Sequence, residues 1–295
     1  QVFSESIEQA RRNDTGAYAS FEAALGPKAT VAAGLRGDYM TSHNQGGYFG
    51  DHETSNGALS GSGSITVGPW SGVSFVAQVG SGFRDATVSD RYYRGPTGRG
   101  FITGNPDLEP ERSVQADAGL RFTGARLRMG FFAFQYNIKD LIERYQTATD
   151  FFFFRNRGEA RIRGLELEVQ AQLGWMVSLE STATLTRGIA LDDDAAIDDM
   201  PPATFTLGLR RPVSSKGFVQ VRGSFFAVDD RPGPTEVRMP GYTVVDAIAG
   251  ATVAKWLDLN LNVRNLLDAT YPQSPDPRAV PASGISAVLT ANLSF

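Results

Sequence analysis

Apolar and polar residues alternate along most of this chain with a period of two. The clearest case is Leu257, Leu259, Leu261 and Val263 set against Asp258, Asn260, Asn262 and Arg264. Side chains one residue apart on an extended strand point to opposite faces, so this spacing predicts a strand with one greasy and one wet face. The same texture runs through Ala17, Ala19, Phe21, Ala23 and Leu25, and through residues 30–40, 59–67, 73–79 and 114–122. It returns in residues 152–173, 177–187, 204–211, 219–227, 242–253 and, at the end of the chain, 285–295. Residues 126–144 form a further strand of unclear register, because apolar residues fall on both faces around Phe131 and Phe132; a bulge there is one explanation. The count is about thirteen strands of roughly 9–12 residues, the length a tilted strand needs to cross a bilayer. No segment carries the period of an amphipathic helix.

The connections alternate as well. Tight turns at Pro27, Pro69, Gly124, Trp175, Ser214 and Lys255 take turns with longer polar stretches, 42–58, 81–113, 145–150, 192–200, 229–240 and 267–283. Short turns at one end and long loops at the other are the asymmetry of outer-membrane barrels. A soluble sandwich would have to bury small faces such as Ala17, Ala19 and Ala23, or Gly61 and Gly63, against a second sheet, where they fill space poorly. The expected fold class is therefore all-β, an antiparallel transmembrane β-barrel.

Composition narrows the classes without changing that picture. Mean hydropathy is −0.20, and no apolar run reaches the length of a spanning helix. A barrel escapes this test because only alternate residues meet lipid. The chain has no cysteine, which excludes a disulfide framework and thiolate metal sites. Its net charge of −4 argues against a nucleic-acid partner. Residues 1–14 are polar and read as loop rather than as a leader peptide, so the chain is expected to be a piece of a longer protein.

The longest loop, residues 81–113, lies between two clear strands, and a loop of about thirty residues is usually functional. It holds Phe83-Arg84 and then Gly104-Asn105-Pro106-Asp107-Leu108-Glu109-Pro110-Glu111-Arg112-Ser113. This pair resembles the signature that brackets one extracellular loop in TonB-dependent outer-membrane receptors. Asp85 and Ala86 stand where that family usually has Ala and Pro. The run from Asn156 to Glu168 and the segment Asn265-Leu266-Leu267-Asp268 with Tyr271 resemble two further strand signatures of the family, and Phe295 matches its terminal aromatic residue. The resemblance implies the C-terminal part of a barrel of about 22 strands. It covers residues 1–295 as one barrel portion, without the plug domain and without the N-terminal segment that touches TonB. The first and last strands should then be left as open edges.

The implied activity is active import of a scarce ligand, a ferric siderophore first, in the cell outer membrane. A passive channel or an adhesin barrel is the alternative, and an enzyme is not expected. Outer-membrane lipid and lipopolysaccharide are the implied surroundings. Arg84, Arg91, Tyr92, Tyr93, Arg94 and Arg99 offer arginine forks and aromatic faces suited to an anionic chelate. The plainer reading is that these arginines pair with acidic loops or with lipopolysaccharide phosphate. Asn105, Pro106, Asp107, Leu108, Glu109, Pro110 and Glu111 read as architecture, with the prolines fixing the chain and the glutamates starting a strand at the rim. His43 and His52 read as solvated loop residues. Asp192, Asp193, Asp194, Asp198 and Asp199 lack the glycine-punctuated spacing of a calcium loop. Residues 151–154, all Phe, suggest an outer aromatic girdle. No motif calls for a bound cofactor or a metal.

Overall fold

A computed structural model describes residues 6–98 and 100–294. The strands are β1 (Ala10–Ala24), β2 (Ala29–Gly46), β3 (Gly50–Trp70), β4 (Val73–Arg84), β5 (Arg94–Thr97), β6 (Gly100–Thr103), β7 (Glu111–Thr123) and β8 (Leu127–Ala148). They continue as β9 (Phe151–Gln172), β10 (Ser178–Ala190), β11 (Thr204–Ser214), β12 (Gly217–Phe226), β13 (Tyr242–Ala254), β14 (Leu257–Arg264) and β15 (Ser286–Leu293). One short helix, α1 (Val88–Tyr92), interrupts them. Thirteen strands form one antiparallel path, β1-β2-β3-β4-β7-β8-β9-β10-β11-β12-β13-β14-β15, in chain order. The small hairpin β5–β6 lies off that path, with β6 parallel to the start of β9. Among the described residues, β1 pairs only with β2 and β15 only with β14, so the barrel wall has two open edges.

The register builds a continuous apolar row across the wall. Val67, Phe75, Leu120, Phe131, Leu167, Ala183, Phe205 and Phe225 are successive cross-strand partners. Leu120, Leu185 and Phe225 in this belt remain largely exposed, with no second sheet over them. The opposite face carries Arg36, Gln78, Asp117, Glu166, Glu168 and Arg222. A greasy outside and a wet inside is the reverse of a soluble core and the arrangement of a membrane barrel. The connections at one end run to two to five residues, as at 25–28, 71–72 and 173–177. All three tryptophans, Trp70, Trp175 and Trp256, sit exposed at this short-turn end, where indole rings favour a membrane interface.

The structure replaces the expected bulge near Phe131 with a different device. Pairing is unbroken from Leu127 to Lys139. Phe132 and Phe134 point inward, and their rings lie over backbone that has no side chain. A Cβ on Gly130 would come within 2.7 Å of Phe132 Cε2, and one on Gly119 would overlap the same ring. Phe134 covers Gly164 in the same way, and Phe218 covers Gly250. An aromatic ring laid over a cross-strand glycine restores packing that the glycine lacks. The two-faced apolarity of this strand is thus an inner set of rings over glycines plus an ordinary outer belt.

Several stretches read as loops are strand, among them residues 10–14, which open β1. Residues 42–58 continue β2 and β3 to a tip at Gly47–Phe49, which places His43 and His52 on strands, His43 Nε2 lying 2.9 Å from Asp51 Oδ1. Residues 145–148 likewise extend β8 as far as a turn at 149–150. Strands 18–22 residues long exceed what the bilayer requires and stand above it. For that reason residues 151–154 are not a membrane girdle. Phe152 is buried beneath the Arg144 guanidinium, and Phe154 packs on Ala86, Leu108 and Ile142.

Candidate ligand vestibule

The long connections pack on the ends of β8, β9 and β10 at the mouth of the wall, where the only two buried apolar clusters among the described residues lie. One is Ala86, Leu108 and Ile142; the other is Ala160, Ala190 and Ile197, flanked by Ile138, Leu141, Ile162 and Met200. The loop after β4 opens with Thr87 and Asp90, which cap α1 reciprocally: Asp90 N donates to Thr87 Oγ1 at 3.1 Å and Thr87 N to Asp90 Oδ2 at 2.9 Å. This caps a helix that propensity alone would not hold.

Beneath α1 lies a buried ionic centre. Arg91 donates through Nη2 to Asp85 Oδ1 at 3.0 Å, and Asn56 Nδ2 donates to the same oxygen at 2.8 Å. Arg12 Nη1 stands 3.5 Å from Asp85 Oδ2 and donates to Ala86 O at 2.9 Å. The Arg91 and Asp85 side chains are 1% and 2% exposed. Asp85, the departure from the usual signature, therefore ties the loop to β1 and β3. Arg91 Nη1 also donates to Pro106 O at 2.7 Å.

The sequence-predicted site residues divide accordingly. Arg84, Arg91 and Tyr92 are consumed by internal packing: Arg84 grips Glu111, and Tyr92 is buried against the rings of Phe49 and His52. Arg94 is exposed, its Cζ 4.1 Å from the Tyr48 ring centroid and 5.2 Å from that of Phe101. Tyr93 stands beside it, half-buried, its hydroxyl donating to Pro96 O at 2.8 Å. Arg99 lies outside the described residues. The segment from Asn105 to Glu111 is fastened to β9. Asn105 Nδ2 donates to Phe154 O at 3.2 Å, while Asn156 accepts from Glu109 N at 2.8 Å and donates to Glu109 O at 2.9 Å. Asp107 N donates to Asn105 Oδ1, Pro106 and Pro110 flank the buried Leu108, and Glu111 begins β7.

Residues from four connections and from β8 and β9 meet around a cavity of about 400 Å³. Its wall holds Asp90, Glu111, Glu143, Asp198, Asp199, Glu236 and Asp276, against Arg84 and Arg144. Asp198 accepts from Thr235 N at 3.0 Å and Thr235 Oγ1 at 2.8 Å, and Glu236 accepts from Asp199 N at 2.8 Å and Gly233 N at 2.9 Å. Burial raises the Glu236 carboxyl above the usual range despite these two donors. Asp192 and Asp193 both engage Arg157, which also donates to Glu143 at 3.2 Å. Sequence reading missed Glu143, Arg144, Arg157 and Glu236. For Glu143, Arg144 and Arg157 the usable signal was charge on β8 and β9 past Asp140, whose φ of 57° takes it and Gly158 out of the pairing, whereas Glu236 lies in the connection after β12.

The family profile described as TonB dependent receptor-like, beta-barrel matches residues 3–266. The chain belongs to the TonB-dependent receptor β-barrel family. The vitamin B12 transporter BtuB of Vibrio vulnificus (strain YJ016) is 27% identical over 224 residues, 76% of this chain and 34% of the relative. The catecholate siderophore receptor Fiu of Escherichia coli (strain K12) is 26% identical over 215 residues, 68% of this chain and 28% of the relative. The chain thus spans about a third of the length of these curated relatives. Among solved structures, a copper transporter, OprC, superposes with a TM-score of 0.85 at 20% identity, over 97% of this chain and 48% of that one. That likeness is one of fold.

Proposed function

We propose that this chain forms the barrel wall and outer vestibule of an active-transport receptor in the cell outer membrane, for a scarce ligand of the ferric-siderophore class. The observation that carries the reading is the cavity built by four connections with β8 and β9 at the mouth of the wall. Vitamin B12 and catecholate siderophores, the ligands in the names of its relatives, set the class considered. Charge divides the vestibule. Arg94 over Tyr48 and Phe101, with Tyr93 beside it, is a cationic and aromatic rim suited to an anionic chelate. The carboxylates of the cavity disfavour the same ligand deeper down, so first contact belongs at the rim. Arg84, Arg91 and Tyr92 hold the loop that presents this rim.

The test is growth of a strain lacking the complete gene on single ferric siderophores and on vitamin B12, complemented by the native gene and by its Arg94→Ala form. Uptake of one ligand should fail in the deletion and be reduced several-fold by Arg94→Ala. Normal growth on every ligand, or energy-independent conductance in a planar bilayer, would replace the transporter reading with a passive channel.

A further inference from the structure

Four buried polar atoms beneath α1 have no hydrogen-bond partner among the described residues: Ser42 Oγ, Thr54 Oγ1, Arg91 Nε and Tyr92 Oη. They come from two elements that face each other. Ser42 and Thr54 are direct cross-strand partners in the β2–β3 hairpin, and Arg91 and Tyr92 are the last two residues of α1. The places where α1 meets the hairpin lie on either side of Thr54. Tyr92 sets its ring 6.1 Å from that of His52, while Arg91 donates to Asp85, which also accepts from the Asn56 amide. His52, Thr54 and Asn56 are successive positions on one face of β3, so Thr54 and its partner Ser42 sit between these two contacts. Ser42 and Tyr92 are each 2% exposed, and Arg91 is 1% exposed.

Native interiors leave few polar groups unpaired, and a group of them in one place calls for a cause. Three of these atoms are hydroxyls, which can donate, and the fourth is a guanidinium N–H, which can only donate. What the place lacks is an acceptor. Asp85, the nearby carboxylate, is already engaged: Oδ1 accepts from Arg91 Nη2 and Asn56 Nδ2, and Arg12 Nη1 stands 3.5 Å from Oδ2. Charge points the same way. Arg12 and Arg91 share the one buried carboxylate of Asp85, while the other acid beside Arg12, Asp14, is 55% exposed and screened by water.

We propose that one small monatomic anion of the chloride class binds beneath α1, held by the hydroxyls of Ser42, Thr54 and Tyr92 and by Arg91 Nε. A water molecule cannot accept from all of these donors at once and must also place its own hydrogens. A halide accepts from every side and offsets the surplus guanidinium charge. The bound ion joins α1 to the β2–β3 hairpin, and so fastens from below the loop that carries Tyr93 and Arg94. The inference is independent of which ligand is imported.

The test is amide hydrogen exchange on the full chain in detergent micelles, in sodium chloride and in sodium gluconate of equal ionic strength. Residues 88–93 should exchange several-fold more slowly in chloride, with β11 to β14 alike in both salts. In the double variant Ser42→Ala/Thr54→Val the two salts should give the same exchange. Its loop should be no less protected in gluconate than that of the unaltered chain, which separates loss of the ion from misfolding. Ser55→Ala, on the exposed face of the same strand, should keep the full chloride response. Bromide soaked into crystals should give an anomalous peak between Ser42, Thr54 and Tyr92. Equal exchange of the unaltered chain in the two salts overturns the site without relying on any variant. So does a full chloride response in the double variant, or a water molecule in place of bromide at this position.

Discussion

Arg84 and Glu111 clasp each other where the longest loop leaves and rejoins the wall, Nε to Oε2 at 2.6 Å and Nη2 to Oε1 at 3.0 Å. They are also directly opposite in the register of β4 and β7. The same Glu111 Oε1 accepts from Ile142 N at 2.6 Å, so one carboxylate ties three strands together at the mouth. The 26 residues between Arg84 and Glu111 are closed off by this pair.

Replacing Glu111 with Ala strands Ile142 N and Arg84 Nε, while Arg84 keeps Asp90, and a polar group that loses its partner costs about 1–3 kcal/mol. The expected outcome is faster amide hydrogen exchange at Ile142 and through residues 85–110, with the strands at the short-turn end unaffected. Unchanged exchange in the loop would show that the apolar cluster at Ala86 and Leu108 suffices by itself.

Asp85 should matter more than its place in a loop suggests. Asp85→Ala leaves the buried Arg91 without its carboxylate, while Arg12 keeps Asp14, and breaking a buried pair from one side costs about 3–5 kcal/mol. Limited proteolysis should then cut within residues 85–110, which the native chain protects. If the variant resists cleavage as well as the native chain does, the ionic centre is not what holds the loop.

The rings over glycines make a pair of contrasting predictions. Gly130→Ala pushes only on the Phe132 ring, so Phe132→Leu should recover part of a loss of about 1–3 kcal/mol. Gly164→Ala also meets the backbone carbonyl of Leu185, so Phe134→Leu should not rescue it. Urea unfolding from vesicles measures both cycles. Equal rescue at the two positions would mean that the ring contact alone sets the cost.

Two loop carboxyls should titrate in opposite directions from their ordinary values. Burial raises Glu236, outweighing its donors Gly233 and Asp199. A raised carboxyl disfavours the folded loop when ionised, so loop stability rises as pH falls through the Glu236 value. For Asp192, burial also pushes upward, but the Arg157 hydrogen bond and backbone donors together prevail and its pKa is lowered. The stabilisation from Asp192 is present above the ordinary carboxylate range and is lost as pH falls through its lowered value. Carboxyl-carbon NMR on selectively labelled Asp and Glu should show Glu236 protonating first on acidification. Protonation of Asp192 ahead of Glu236 would refute this.

The alternation along the chain determined most of the wall. Leu257 to Arg264 could be placed on two faces without coordinates, and the beat of short and long connections ordered the thirteen strands of the path. Period-two patterning is local, and a strand that meets lipid on one side needs no distant partner to define its faces. The NPDLEPE segment also revealed its architectural part, since its prolines and asparagine act on nearby backbone. The vestibule was legible only in pieces. That Arg91 is buried against Asp85, while Arg94 three residues later stays exposed over Tyr48 and Phe101, depends on Arg12 and Asn56 arriving from β1 and β3. The inward turn of Phe132, the strand character of 42–58 and the gathering of Asp198, Glu236 and Asp276 around one cavity were likewise decided by tertiary structure. Each rests on which strand lies beside which, at what register. That long-range pairing lets an ion find its partner or a ring find its glycine, and no short window of sequence contains it.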